Sequence, residues 1–201
     1  MEYQEREVKF YVRDLDALAN RLQATGADLV RERVFERNLR MDTQDGQFER
    51  AQRVLRIRQD DRVRVTYKDD SRLEDGVLTR TEIEITTDSL PATRKLFEAL
   101  GYQVTVIYEK YRRTYHLGDV EVVLDELPFG NFVEIEAPSN TLIEGVAQMV
   151  GLDWAARINL SYMGLFAAWK QNTGLAFKDL TFEAFIGQAV TAADLGVRPA
   201  D

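Results

Sequence analysis

Short stretches of this chain alternate apolar and charged residues with a period of two. Val8 and Phe10 alternate with Glu5, Glu7 and Lys9; Leu55 and Ile57 with Arg56 and Arg58; Val63, Val65 and Tyr67 with Arg64, Thr66 and Lys68. Ile83 and Ile85 alternate with Arg80, Glu82 and Glu84, and Tyr111 and Tyr115 with Lys110 and Arg112. Asp125 beside Leu124, and Glu134 and Glu136 beside Val133 and Ile135, continue the pattern. Successive side chains on a strand point to opposite faces, so each stretch predicts a strand with one apolar and one charged face. Asp60-Asp61 and Gly118-Asp119 are turn signals that join two pairs of strands as hairpins. The count reaches about eight strands.

A helical period follows three of these strands. Leu15, Leu18, Ala19 and Leu22 come after the first, with Asp14 as N-cap and Gly26 as stop. Leu96, Phe97 and Leu100 run to Gly101, and Leu142, Ile143, Val146 and Val150 run to Gly151. Glu7 to Gly26 and Glu82 to Gly101 both span 19 positions, and Glu134 to Gly151 spans 17. The recurrence of a glutamate-bearing strand followed by a glycine-terminated helix reads as an internal repeat. The segment Trp154 to Trp169 and the one around Phe182, Phe185, Ile186 and Val190 read as further helices. Roughly the last ten residues are expected to be loosely held.

Composition narrows the function classes. The chain has 201 residues, so one domain is the first expectation. Acidic residues outnumber basic ones 34 to 26, a net charge of −8 that argues against a general nucleic-acid coat. The absence of cysteine excludes disulfides, zinc–thiolate sites and thiol catalysis, and the single histidine, His116, excludes a poly-histidine metal site. No apolar run approaches the roughly 18 residues of a membrane span. The opening residues MEYQEREVKF do not resemble a signal peptide. A cytoplasmic, soluble protein without a membrane or nucleic-acid partner is expected.

The charged strand faces admit two readings. One is an ordinary antiparallel sheet with a wet side. In the other the sheet closes into a barrel, helices cover its apolar outside, and the charges line the lumen. Such a lumen is costly unless acids, bases, metal and ligand compensate one another. The ligand class that suits many cations and many carboxylates together is a polyphosphate with its divalent metal.

Several ordered segments carry a family resemblance. Glu5-x-Glu7-x-Lys9 resembles the E-x-E-x-K signature of the CYTH, or triphosphate tunnel metalloenzyme, superfamily. LRIR at 55–58, TYK at 66–68, EIE at 82–84, EKYRRTY at 109–115 and LDELPFGNFVEIE at 124–136 follow in the family's order. Ser161-Tyr162 with Leu165 resembles its C-terminal helix, so the likeness covers about 2–166. Arg40-Met41-Asp42 departs from it, since many members carry an aromatic before the aspartate. The resemblance implies an α+β fold, an eight-stranded antiparallel barrel with helices packed outside, over residues 2–170, with 171–201 a C-terminal helical extension and tail.

By the same resemblance, Arg56, Arg58, Lys68, Lys110 and Arg112 would hold phosphates. Glu5, Glu7, Asp125, Glu134 and Glu136 would hold Mg²⁺ or Mn²⁺, and Glu82 and Glu84 would bind metal or orient the cations. Lys9 at the tunnel wall and Glu7 take the catalytic roles. The implied reaction is metal-dependent attack on a small triphosphate. It is either class IV adenylate cyclase chemistry on ATP, to whose members the strand order and the EKYRRTY and LDELPFGNFVEIE stretches look somewhat closer, or hydrolysis of tripolyphosphate or thiamine triphosphate. The alternative is a non-catalytic polyphosphate- or nucleotide-binding module. Arg113 has the parity of an outward residue, Arg62 and Arg64 are ambiguous, and His116 reads as structural or exposed. Phe182, Phe185 and Val190 suit core packing, with a homodimer contact as the other option.

Overall fold

The strands are β1 (Gln4–Val12), β2 (Asp28–Thr43), β3 (Val54–Gln59), β4 (Val63–Glu74), β5 (Val77–Thr87), β6 (Tyr102–Leu117), β7 (Val120–Leu127) and β8 (Gly130–Glu136). In the computed structural model, which describes residues 4–201, they close into an antiparallel barrel in the order β1-β5-β4-β3-β2-β6-β7-β8. The start of the expected domain at residue 2 lies outside the described residues. Closure selects the second reading of the charged faces. Val8, Phe10, Val122, Leu124, Val133 and Ile135 point outward into a buried apolar layer, and the charged residues between them turn inward.

Helices cover that apolar exterior: α1 (Leu15–Ala24), α2 (Gln47–Arg50), α3 (Leu90–Ala99), α4 (Asn140–Met149) and α5 (Tyr162–Thr173). The three repeated helices start from side-chain caps: Asp14 accepts from the Asp16 and Ala17 amides, Ser89 from Ala92 and Ser139 from Leu142. Leu18 and Leu22 of α1 and Ile143 and Ala147 of α4 pack on the same stretch of barrel wall. The middle repeat departs from the expected pattern. Leu96 and Leu100 of α3 are exposed, and the helix packs through Leu90, Thr93 and Phe97. In α4, Leu142 is likewise exposed.

The C-terminal region differs most from its sequence reading. Trp154–Ala156 is a single 3-10 turn, the chain then extends, and α5 begins only at Tyr162. Residues 182–187 form turns and no helix. The final residues are anchored, and the reason lies in the strand edges. Pairing of β1 with β5 ends at Glu7, which leaves the backbone of Lys9 to Val12 open on one side. Ile158 N donates to Lys9 O at 2.7 Å and Ala200 N to Tyr11 O at 2.9 Å. The Asp201 carboxylate accepts from the Arg13 and Asp14 amides. Pairing of β6 with β7 likewise stops at Tyr111, and Leu180 exchanges backbone bonds with Ile107 and Glu109 while Asp179 accepts from the Ile107 amide. Unpaired buried backbone is expensive, so the tail supplies what the barrel strands lack.

The same tail presses α5 onto one end of the barrel. Leu165, Phe166 and Trp169 of α5 pack with Phe129, Phe132, Leu180, Phe185 and Leu195. Phe185 is therefore core, while Ile186 is exposed. The β7–β8 turn fits beneath this layer because Gly130, at φ +142°, has no side chain; a Cβ there would lie 2.7 Å from the Tyr11 ring.

A tail that is part of the core has a measurable energetic signature. Leu180 is fully buried, so Leu180→Ala should cost about 2–5 kcal/mol in denaturant unfolding. A loss below about 0.5 kcal/mol, the usual value for a surface position, would show the tail to be peripheral.

Candidate active site

The barrel encloses a cavity of about 350 Å³. Eight cations line it: Lys9, Arg40, Arg56, Arg58, Lys68, Arg80, Lys110 and Arg112. Seven carboxylates join them: Glu5, Glu7, Glu82, Glu84, Glu121, Glu134 and Glu136. Strand periodicity puts them there, since each strand contributes residues i, i+2 and i+4 to the lumen.

Most of these charges are paired. Glu5 accepts from Lys68 at 2.8 Å and from Arg80 Nε at 2.7 Å; Glu7 accepts from Arg80 Nη2 at 2.8 Å. Glu82 binds Lys68 at 2.9 Å, and Glu134 binds both Lys9, at 2.6 Å, and Arg112, at 2.5 Å. Burial would raise the Glu134 pKa, but Lys9, Arg112 and Lys110 outweigh it and hold the carboxyl well below its usual range. Burial would lower that of Lys9, and Glu134 and Glu7 more than offset it. Arg56 donates to Thr66 Oγ1 at 2.9 Å, and Thr66 donates to Glu84 at 2.9 Å.

Compensation is incomplete on two walls. On the β2–β3 wall, burial and the neighbouring Arg56 lower the pKa of Arg58, against the pull of Glu36 at 3.5 Å. Arg40, which has no ion-pair partner among the described residues, is lowered by burial and by Arg56 and Arg80. On the opposite side, Glu136 is pushed up to about 8 by burial and by Glu5, Glu121 and Glu7. No cation pairs with Glu136 among the described residues. One wall therefore carries an excess of positive charge and the other an excess of negative charge.

The expected site residues gather here with one exception. Asp125 lies beneath the cavity wall, fully buried. It accepts from Arg112 Nε at 2.7 Å, Arg112 Nη2 at 2.6 Å, Lys110 at 2.9 Å and the Tyr162 hydroxyl at 2.7 Å. Its place is that of an anchor for two cations, because neither oxygen is left without a donor. Glu36, also fully buried, lies 3.5 Å from Arg58 and 3.6 Å from Lys110.

Arg80, Arg40, Tyr108, Glu121 and Tyr162 line the cavity but were not among the expected site residues. Arg80 shares the parity of Glu82 and Glu84, and Tyr108 that of Lys110, so periodicity could have found both. Tyr162 sits on a helix and carries no strand signal; Lys9 lies 4.4 Å from its ring centre. Arg113 binds Asp16 of α1 on the outside, His116 is exposed beside Glu121, and Arg64 pairs with Asp60. Asp42 caps α2 by accepting from the Phe48 and Glu49 amides.

No three carboxylates among the described residues converge into a ready metal cage. The donor chemistry nevertheless fits a hard divalent cation. Glu136, pushed up to about 8, would give up its proton to a bound cation, and Glu7 stands beside it in the β1–β8 register with Glu5 on the same strand face.

The model of the CYTH domain family matches residues 3–145. A candidate adenylate cyclase of Methanocaldococcus jannaschii is 28% identical over 134 residues, covering 66% of this chain and 75% of that protein. A solved candidate adenylate cyclase from Vibrio parahaemolyticus superposes with a TM-score of 0.74 at 20% identity, over 84% of this chain and 100% of its own. A candidate adenylyl cyclase from Hippeastrum, described as having a dominant triphosphatase activity, gives 0.59 at 19% identity over 86% and 97% of the two chains. At these identities the two structures support the likeness of fold.

The raised Glu136 pKa sets the pH dependence of stability. A carboxyl at about 8 when folded, against 4.5 when unfolded, binds its proton more tightly in the native state. Its stabilisation is complete below 4.5 and is lost as pH rises to about 8. In chelator, Glu136→Gln should melt on the order of 5–10 °C above wild type near pH 9. The two should coincide near pH 4, below the unfolded value of 4.5. Equal melting temperatures at both pH values would show that Glu136 is not repelled by its neighbours.

Proposed function

The chain belongs to the CYTH domain family, and from that premise we propose that it is a metal-dependent enzyme acting on a triphosphate-bearing small molecule inside the barrel. The observation that carries this reading is the divided charge of the cavity. Arg40 has no ion-pair partner among the described residues, Arg58 has only Glu36 at 3.5 Å, and Glu136 is a carboxyl in want of a cation. A polyphosphate bound with Mg²⁺ or Mn²⁺ satisfies both sides at once.

In this reading Arg56, Arg58, Lys68, Lys110 and Arg112, joined by Arg40, neutralise phosphoryl oxygens. Phosphoryl transfer depends mostly on such positioning and charge neutralisation. Asp125 holds Lys110 and Arg112 rigid, so these cations meet substrate without reorganising. Glu5, Glu7 and Glu136 would hold the metal, with Glu134 contributing if Lys9 and Arg112 turn to phosphate. When bound, the metal supplies Lewis-acid polarisation and activation of the nucleophile. Glu82 and Glu84 orient Lys68 and, through Thr66, Arg56. Lys9, pulled toward its charged form by Glu134 and Glu7, stays a cation beside the reacting phosphate. The domain division follows the same proposal: 2–170 carries the chemistry and 171–201 straps it closed.

We favour triphosphate hydrolysis. Val54, Val123 and Met163 are the aliphatic residues of a cavity otherwise lined by charge, a serine and tyrosines, so the lining suits phosphates better than a purine. Cyclisation of ATP is the second reading, favoured by the name of the Methanocaldococcus jannaschii relative.

Incubation with tripolyphosphate, thiamine triphosphate and ATP, each with Mg²⁺ or Mn²⁺, separates these readings. Orthophosphate release marks hydrolysis, and cyclic AMP with pyrophosphate marks cyclisation. Binding without turnover would leave a binding module. Arg58→Ala should weaken tripolyphosphate affinity about tenfold to a hundredfold, from roughly 1.5–3 kcal/mol for a desolvated charge-assisted contact. Unchanged affinity would remove Arg58 from the site.

A further inference from the structure

Tyr108 is a buried cavity residue whose hydrogen bonding is left open. Its side chain projects into the lumen from β6, two positions before Lys110, and is 7% exposed. Arg56 Nη1 donates to the phenol oxygen at 3.3 Å. A guanidinium has no acceptor, so the phenol cannot return its own proton along that bond. Among the described residues no other group accepts it. The proton therefore faces the lumen beside Arg56 and Arg58.

The backbone around this phenol is unusually well fixed. Tyr108 is flanked on one side by Asn38 of β2 and on the other by Leu180 of the tail, which bonds to Ile107 and Glu109. A donor held that way loses little freedom on meeting an acceptor. From these placements, and resting on the triphosphate reading above, we infer that Tyr108 is a substrate-contacting residue. Its hydroxyl donates a hydrogen bond to a phosphoryl oxygen held by Arg56 and Arg58.

The surrounding charges give this contact a distinctive pH dependence. Burial raises the Tyr108 pKa, but Arg56, Lys110 and Arg58 outweigh it and bring it down to about 8. Arg40 of β2 adds to the positive side, Glu36 lies beyond Arg58, Asp179 is bonded to the adjacent Ile107 amide, and Tyr162 of α5 packs in the same layer. Above about 8 the free protein holds a phenolate, which repels phosphate and must regain its proton before the chain binds.

Calorimetric titration with tripolyphosphate in chelator, on wild type and Tyr108→Phe, tests this. Near pH 7 the variant should bind about tenfold more weakly. Between about pH 8 and 9 the wild type should lose affinity faster, by up to a decade per pH unit, until the two converge. Removing a packing contact alone would shift affinity without changing the pH profile. As a second readout on wild type, tripolyphosphate added near pH 8.5 should remove one tyrosinate from the ultraviolet spectrum. Equal affinities near pH 7, parallel pH profiles, or an unchanged tyrosinate signal would each overturn the assignment. If wild type binds no tripolyphosphate, the proposed function falls with it; if wild type binds and Tyr108 makes no difference, only this inference falls.

Discussion

Mutual neutralisation of charge inside a closed sheet is the constraint on which this protein rests. A cavity of about 350 Å³ lined by eight cations and seven carboxylates would not survive as separate desolvated ions. It survives because nearly every charge has a counter-charge across one strand gap or two. Lys68 lies between Glu5 and Glu82, Arg112 between Asp125 and Glu134, and Arg80 between Glu5 and Glu7. Buried ion pairs add little net stability, since desolvation offsets their attraction. Stability comes from the apolar layers outside the barrel.

Under the proposed function, exchange of ionic partners would link architecture to chemistry. A triphosphate would take up the cations, and the carboxylates so released would meet a metal. A lattice of salt bridges lines the lumen. Its two imperfections, the cationic wall at Arg40 and Arg58 and the acidic one at Glu136, give the cavity its polarity. Asp125 fixes Lys110 and Arg112 through hydrogen bonds, and Glu36 lies near Arg58 and Lys110 as a counter-charge. Both carboxylates are fully buried beneath the functional surface.

The barrel is closed in strand order but not along every strand edge. β1 outruns its pairing with β5, and β6 outruns its pairing with β7. The C-terminal segment mends both gaps and clamps α5 over one end, carrying Tyr162 to the cavity wall. Residues near the C-terminus therefore act on the same strands that carry Lys9 and Lys110. Structure and site are continuous there.

By itself, the sequence determined seven of the eight strands, their inward faces and most of the lumen, because period-two alternation survives whatever the strands pair with. β2 went unread: its pairing with β6 is interrupted by register shifts between Leu29 and Val34 and at Arg40–Met41, which break the alternation. The cap at Asp14 and the glycine stops of the three repeated helices were equally legible, since these are contacts between near neighbours in the chain. Only the tertiary structure decided that Asp125 anchors cations from beneath the wall, because a strand's parity names the face but not the depth or the partner. It also decided the place of Tyr162, which reaches the site from a helix. The tail was opaque for a related reason. Its apolar residues have no regular period, and its backbone finds partners only where two distant strands leave edges open. Which charges remain under-compensated is likewise a matter of distance in space, and no spacing along the chain records it.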